Sequence, residues 1–249
     1  MLRLYIYKIN ETELDTRRER AFSVLPLWRV EKVNRMIPAQ GKRLSLAAGL
    51  LLRHALLDTV GIELKDVKVG FGEREKPYFI FDRHLEFNLS HSGDVVAVAL
   101  ADCPVGIDVE VKQDPGKGVA EHVFTKEELD TMHAAPDPER YFTRLWTRKE
   151  AYVKCTGTGI SVPLTAFSVL SDTITDPPAD ENMKSEKGPE GEREPEALAK
   201  EDFIAKIGSE ELHYQIRTLQ ETEAYALSVC IQNSIFPQFS LDIVEHFDI

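Results

Sequence analysis

Three short stretches of the chain set chemically useful side chains at informative spacings. In Gly106-Ile107-Asp108-Val109-Glu110 the carboxylates are two residues apart, so a strand projects both from one face and Ile107 and Val109 from the other. Neighbouring carboxylates repel, and a cation between them relieves the repulsion; Mg2+ suits such a pair because it completes its octahedron with waters and phosphate oxygens. The same alternation also describes a solvent-facing strand edge, and the pentapeptide alone leaves both readings open. In Trp146-Thr147-Arg148-Lys149-Glu150-Ala151-Tyr152-Val153-Lys154, residues 146, 150 and 154 recur every four positions and share one helical face. A Glu–Lys pair at that spacing is also an ordinary surface ion pair. Gly157-Thr158-Gly159 then ends the helix in a turn. In Asn88-Leu89-Ser90-His91-Ser92-Gly93-Asp94 a strand runs into hydroxyl and imidazole groups and a glycine turn, a suitable cradle for an anion. Adjacent Ser and His on a strand point to opposite faces, and no nucleophile elbow or P-loop accompanies them, so this is no hydrolase signature. Arg43 at a helix start and Lys76-Pro77 before a strand add cations upstream.

The elements that must position these groups follow from periodicity. Leu2, Leu4 and Ile6 alternate as an opening strand. Helical text runs from Thr12 to Leu25 and from Pro26 to Met36, then from Leu44 to Val60, where Gly61 ends it. Short strands are predicted at Val67–Phe71, Tyr78–Phe81, Leu85–Leu89, Val95–Ala101 and Val105–Val111. Thr125 with Glu128 forms a capping box, and a longer helix spans Pro138–Cys155. Strands return at Ala166–Leu170, His213–Leu219 and Ala224–Ile231. Strand, helices, strands, twice over, predicts two α+β halves joined near Pro104.

A net charge of −12, from 42 acidic residues against 30 Lys and Arg, argues against a nucleic-acid binder, which needs a basic surface. Eleven of the acids, with only four basic residues, fall within 172–202, a Pro-, Gly- and Glu-rich stretch that reads as a solvated surface insertion. Cys103, Cys155 and Cys230 lack metal-ligand or redox spacing and read as reduced thiols of a cytoplasmic protein. Arg3 and Lys8 interrupt any signal-peptide core, and the longest apolar run, Leu44–Leu52, is too short to span a bilayer.

Taken in order, Asn-Leu-Ser-His-Ser, Gly-Ile-Asp-Val-Glu and Trp-x-x-Lys-Glu-Ala-x-x-Lys-x-x-Gly-x-Gly resemble the 4′-phosphopantetheinyl transferase superfamily. The length resembles its Sfp type, in which two pseudo-symmetric halves share one chain. The resemblance is strong from Lys76 to Leu164, rests on layout before that, and is weak after it. It implies an α+β fold of two pseudo-symmetric α/β halves, 1–104 carrying coenzyme A contacts and 105–249 the metal-binding acids and the motif helix. It implies transfer of 4′-phosphopantetheine from coenzyme A to a serine of an apo acyl or peptidyl carrier protein, with release of 3′,5′-ADP. Asp108, Glu110 and Glu150 match the acids that hold Mg2+. Arg43, Lys76, Pro77, Asn88, Ser90, His91, Asp108 and Lys154 match positions that contact coenzyme A. Glu150 and Lys154 take the catalytic roles, with Glu150 or a metal-bound water as base. The usual Gly-Lys-Pro reads Glu75-Lys76-Pro77 here.

The expected partners are carrier domains of fatty acid, polyketide or nonribosomal peptide synthases, with no nucleic acid, no membrane and a monomeric state. Two rivals use parts of the same pattern. A Mg2+-dependent phosphohydrolase needs the acids but not the ordered Ser-His and Lys-Glu-x-x-x-Lys; a degenerate coenzyme A-binding scaffold would not need to keep all three acids and Lys154. Because carrier domains are generally acidic around the modified serine, docking is expected at Arg144, Arg148 and the apolar loop Ile160–Leu164 rather than through long-range attraction. The loop has an alternative place inside the core of the second half.

Overall fold

The alternating residues at the N-terminus form β1 (Leu2–Lys8), followed by α1 (Glu11–Thr16), α2 (Arg18–Val24), α3 (Leu27–Arg35) and α4 (Ala39–Val60). The hairpin β2 (Lys68–Phe71) and β3 (Pro77–Ile80) comes next, then β4 (Glu86–Ser92) and β5 (Val95–Ala101). A second passage runs β6 (Val105–Val111), α5 (Val119–Val123), α6 (Lys126–Ala134), α7 (Pro138–Thr156), β7 (Thr173–Thr175), β8 (His213–Glu221) and β9 (Tyr225–Gln232), and β10 (Phe239–Val244) is the last strand. This computed structural model describes all residues except 73–75, 81–83, 113, 115, 117, 160–161, 176–212 and 234, and only the backbone of 173–175.

The strands make two four-stranded sheets, ordered β10-β1-β5-β4 and β6-β9-β8-β7. In each, the opening strand pairs antiparallel with the last strand of its passage, which pairs antiparallel with the one before it: β1-β5-β4 in one half, β6-β9-β8 in the other. That repeated path is the pseudo-symmetry of the fold. The first sheet also takes an edge strand from the far end of the chain, since β10 runs parallel to β1.

Burial sorts the side chains into layers. Leucines of α4 cover Tyr5, Tyr7, Val96, Val98 and Leu100 on one face of the first sheet. α7 covers Ile216 and Cys230 on one face of the second. Leu4, Ile6, Ala97 and Ala99 meet Ile107, Val109, Leu227 and Val229 between the sheets. β5 is therefore buried on both faces, which explains its unbroken Val-Val-Ala-Val-Ala-Leu-Ala text.

Several elements differ from the sequence reading. The helix expected over 12–25 is broken at Thr16, where its hydroxyl bonds back to the carbonyls of Thr12 and Glu13. α4 begins five residues early, at Ala39, behind Pro38, and ends at Gly61 in the left-handed region (φ 70°) as expected. Ala166–Leu170 is not a strand: one 3-10 turn, Leu164–Ala166, leads into irregular backbone. α5, β7 and β10 are additions. The expectation for 172–202 falls mainly on residues outside those described. Among the described residues no helix is long and apolar enough to cross a membrane.

Candidate active site

The site forms where the edge strand of one sheet meets the edge strand of the other. β4 and β6 share no backbone ladder. Instead, alternate side chains of β4 reach across: Asn88 Oδ1 accepts from the Ile107 amide (2.9 Å), Ser90 Oγ donates to Asp108 Oδ1 (2.7 Å), and Ser92 Oγ donates to Glu110 Oε2 (2.6 Å). The polar text of Asn-Leu-Ser-His-Ser thus satisfies an open strand edge and fixes the acids at the same time.

α7 supplies the other wall. Asp137 caps its start by accepting from the Arg140 amide, Pro138 occupies the first turn, and Gly157 ends it at φ 71°. The helix crosses β6 at Gly106, where a Cβ would overlap the carbonyl of Ala151 and the amide of Cys155. Only glycine permits that approach, which lets Lys154 reach the strand. Its Nζ lies 2.5 Å from Asp108 Oδ1 and 3.0 Å from Ser90 Oγ. Glu150, one turn earlier, has no hydrogen-bond partner among the described residues.

Charge is held here against its solvation. Asp108 is 2% exposed, and its Oδ2 is buried without a partner. Burial pushes its carboxyl above the usual range, opposed by Lys154 and Ser90. Glu110 is pushed up by burial and by Asp108, against the hydrogen bond from Ser92. Glu150 is pushed up by burial, then by Asp108 and Glu110, with Lys154 opposing. Even so, no group of three carboxylate, His or Cys side chains among the described residues closes tightly enough to cage an ion.

Two cavities meet at Glu150 and Lys154. One, about 370 Å³, is lined by Asp108, Glu110, Ser90, His91 and Trp146 on one side and by Arg29, Lys32 and Ser45 on the other. The second, about 240 Å³ and mainly apolar, is lined by Val153, Gly157, Gly159 and Leu164, with Lys76 and Asn88. Lys76 donates to the carbonyl of Lys154 at the end of α7 (2.5 Å), and burial lowers its pKa. Pro77 opens β3 opposite Phe71, behind Lys76. His91 is exposed, yet loss of solvation against the cavity wall lowers its pKa, helped by Lys154, Arg29 and Lys32.

The structure brings together Asp108, Glu110, Glu150, Lys154, Ser90, His91, Asn88 and Lys76, but not Arg43. The Arg43 guanidinium is held by Asp15 (2.8 and 3.2 Å) and Glu11 (3.1 Å) and lines a separate small cavity with Arg18 and Lys42. Sequence reasoning missed Arg29 and Ser45. Arg29 is 3% exposed; one guanidinium nitrogen donates to the Ser45 carbonyl, while its Nε and Ser45 Oγ are buried and unpartnered. Burial lowers its pKa to about 10, so it remains charged at neutral pH. An Arg on an amphipathic helix reads as solvent-facing, so nothing local signals this.

Arg148, expected as a surface cation for docking, is buried instead. It donates to the carbonyls of Val169 (2.7 Å) and Ser171 (2.6 Å) and pairs with Asp172. Beside it, Lys149 donates to the carbonyls of Leu164 and Phe167 and pairs with Glu128 at 2.8 Å, both side chains fully buried. A segment without regular secondary structure needs its carbonyls satisfied, and these two cations do that. Val162 and Leu164 pack partly against the second core; Ile160, Ser161 and Glu75 lie outside the described residues.

Comparison with known proteins matches residues 104–230 to the model of the 4′-phosphopantetheinyl transferase superfamily, and residues 14–103 to that of the 4′-phosphopantetheinyl transferase N-terminal region. The chain belongs to the 4′-phosphopantetheinyl transferase superfamily. A 4′-phosphopantetheinyl transferase of Bacillus subtilis is 32% identical over 154 residues, covering 61% of this chain and 68% of the relative. 4′-Phosphopantetheinyl transferase Sfp of Bacillus subtilis strain 168 is 31% identical over 153 residues, with the same coverage. 4′-Phosphopantetheinyl transferase AcpT of Salmonella typhi is 44% identical over 111 residues, covering 41% of this chain and 57% of the relative. The protein is thus an enzyme of the phosphopantetheine-transferring type, and its superfamily implies coenzyme A and carrier proteins as partners in general.

Proposed function

We propose that this transferase moves 4′-phosphopantetheine from coenzyme A to a serine of an apo acyl or peptidyl carrier protein in a Mg2+-dependent reaction, serving fatty acid, polyketide or nonribosomal peptide synthases. The observation that carries the reading is the junction of a charged and an apolar cavity at Glu150 and Lys154. Coenzyme A has the same division: a polyanionic nucleotide end, an uncharged pantetheine arm, and a pyrophosphate between them. Arg29, Lys32 and His91 suit the nucleotide phosphate, and Val153, Leu164 and the two glycines suit the arm. In this reading Arg29, rather than Arg43, meets the nucleotide phosphate.

The residues fit a hard cation. Asp108 Oδ2 is a buried carboxylate oxygen in want of a partner, and Glu110 and Glu150 line the same cavity. Three acids that face a cavity without closing into a cage suit Mg2+, which keeps waters and takes phosphate oxygens. Asp108, Glu110 and Glu150 would hold it, and when bound it supplies a Lewis acid that neutralises charge on the pyrophosphate.

The remaining steps belong to the chain itself. Lys154 neutralises charge that builds on the phosphate oxygens. Glu150, whose carboxyl burial makes more basic, accepts the proton of the carrier serine as that hydroxyl attacks the β-phosphorus. The bond from the β-phosphorus to the bridging oxygen breaks, and 3′,5′-ADP leaves. Phosphoryl transfer requires alignment and charge neutralisation, with no side-chain nucleophile.

The test is incubation with coenzyme A, an apo carrier protein and Mg2+, followed by intact mass analysis of the carrier. One added phosphopantetheine per carrier, lost with a chelator and restored by Mg2+, supports the reading; an unmodified carrier, or modification indifferent to chelator, overturns it.

A further inference from the structure

Glu110 stands near the end of β6, half-buried, where an unrestrained side chain could swing out of the cavity. A hydroxyl on the facing strand prevents this: Ser92 Oγ donates to Glu110 Oε2 at 2.6 Å. The hydroxyl of Ser92 has one proton, and its direction is set from behind, because the amide of Val111 donates to the same oxygen (3.2 Å). With an acceptor site of Ser92 filled by that amide, its proton is committed to Glu110. The backbone beneath is equally constrained. Ser92 is the last residue of β4, paired with Val95 across a two-residue turn, and a Cβ on Gly93 would lie 2.6 Å from Val111 Cγ1. The turn is therefore seated directly against the residue that follows Glu110.

We infer that Ser92 is a positioning residue: its hydroxyl, presented by the first half of the molecule, holds the Glu110 carboxylate of the second half toward the cavity so that its other oxygen faces the cation. This rests on the assignment of Glu110 to the Mg2+ site. Groups that orient a metal ligand through a hydrogen bond typically change affinity by 10- to 100-fold when removed, without touching the ion.

The test is Ser92→Ala beside Ser92→Thr, with Mn2+ as a paramagnetic substitute for Mg2+. Free Mn2+ is followed by electron paramagnetic resonance during titration of the protein saturated with coenzyme A. Metal-free coenzyme A affinity and Tm are measured in parallel. The expected result is a Mn2+ dissociation constant raised about tenfold in Ser92→Ala, near-parental in Ser92→Thr, with coenzyme A affinity and Tm held in both. Equal Mn2+ affinity in the parent and Ser92→Ala overturns the inference alone. So does a joint fall of Mn2+ affinity, coenzyme A affinity and Tm, which would make Ser92 a purely structural residue, or a Ser92→Thr variant as weak as the alanine. A parent protein that binds no Mn2+ overturns the metal assignment together with the inference.

Discussion

At the scale of single residues, the site concentrates charge that the fold would be more stable without. Glu150 illustrates the sign. Its pKa is raised on folding, so the ionised form is disfavoured in the native state, and the penalty develops as pH rises from the ordinary Glu range through the raised value. Glu150→Gln is therefore expected to raise Tm of the metal-free protein by roughly 2 °C near pH 8, about 1 kcal/mol for a chain of this size, with no gain near pH 4, while carrier modification falls to background. Calorimetry at the two pH values, beside the mass assay, checks both halves. Gly106→Ala tests the close approach of α7 to β6. Overlap with helix backbone is expected to cost at least about 2 kcal/mol in urea unfolding and, by moving Lys154 away from Asp108, to slow transfer on the order of 10²-fold. Periods of 2 and 3.6 put Asp108 with Glu110, and Glu150 with Lys154, on one face each, but left a strand edge and a surface ion pair as open readings; the resemblance singled these four out. Arg29 was not legible in the sequence, because burial of a guanidinium against a backbone carbonyl leaves no local trace. Arg43 looked like a ligand cation until Asp15 and Glu11, distant in sequence, claimed it.

Among the elements, α7 does most to organise the site, and it acts through three consecutive side chains pointing different ways. Glu150 faces the cavities, while Arg148 and Lys149 reach back into the protein to hold the carbonyls of residues 164–171. Lys149→Met leaves the fully buried Glu128 without its cation and is expected to cost about 3–5 kcal/mol in chemical unfolding; a loss under about 1 kcal/mol would contradict that role for the pair. The helix and the Thr125 capping box were legible from caps and periodicity. The segment after them was misread as a strand because its buried Phe167 and Val169 stand two residues apart around Ser168, but its backbone polar groups are satisfied by side chains of α7 and Glu128 rather than by a neighbouring strand. Alternation reports burial, not the partner of the hydrogen bonds.

For the whole molecule, the repeated order of strand, helices and strands made the two-half architecture legible before any coordinates. The return of β10 to β1 was not, because a six-residue strand carries no mark of a partner more than 230 positions away. That return has consequences for stability. Val244, Phe247 and Ile249 are buried in the core of the first half, so removal of residues 239–249 takes three apolar side chains out of that core and uncovers an edge of β1. At about 1.5–3 kcal/mol for each side chain, truncation is expected to lower Tm by roughly 10 °C or more, read by thermal melting. Besides the apolar layer between the sheets, the halves are joined at the β4–β6 corner, where Asn88, Ser90 and Ser92 both connect the sheets and aim the acids; the candidate reaction centre lies on that seam. The most direct measurement of this arrangement is a crystal structure with coenzyme A and Mn2+, the metal located by anomalous scattering. The account predicts a Mn2+ peak ligated by Asp108, Glu110 and Glu150, the nucleotide end against Arg29 and His91, and the pantetheine arm over Leu164. Metal held by phosphates alone, or a nucleotide bound beside Arg43, would contradict it.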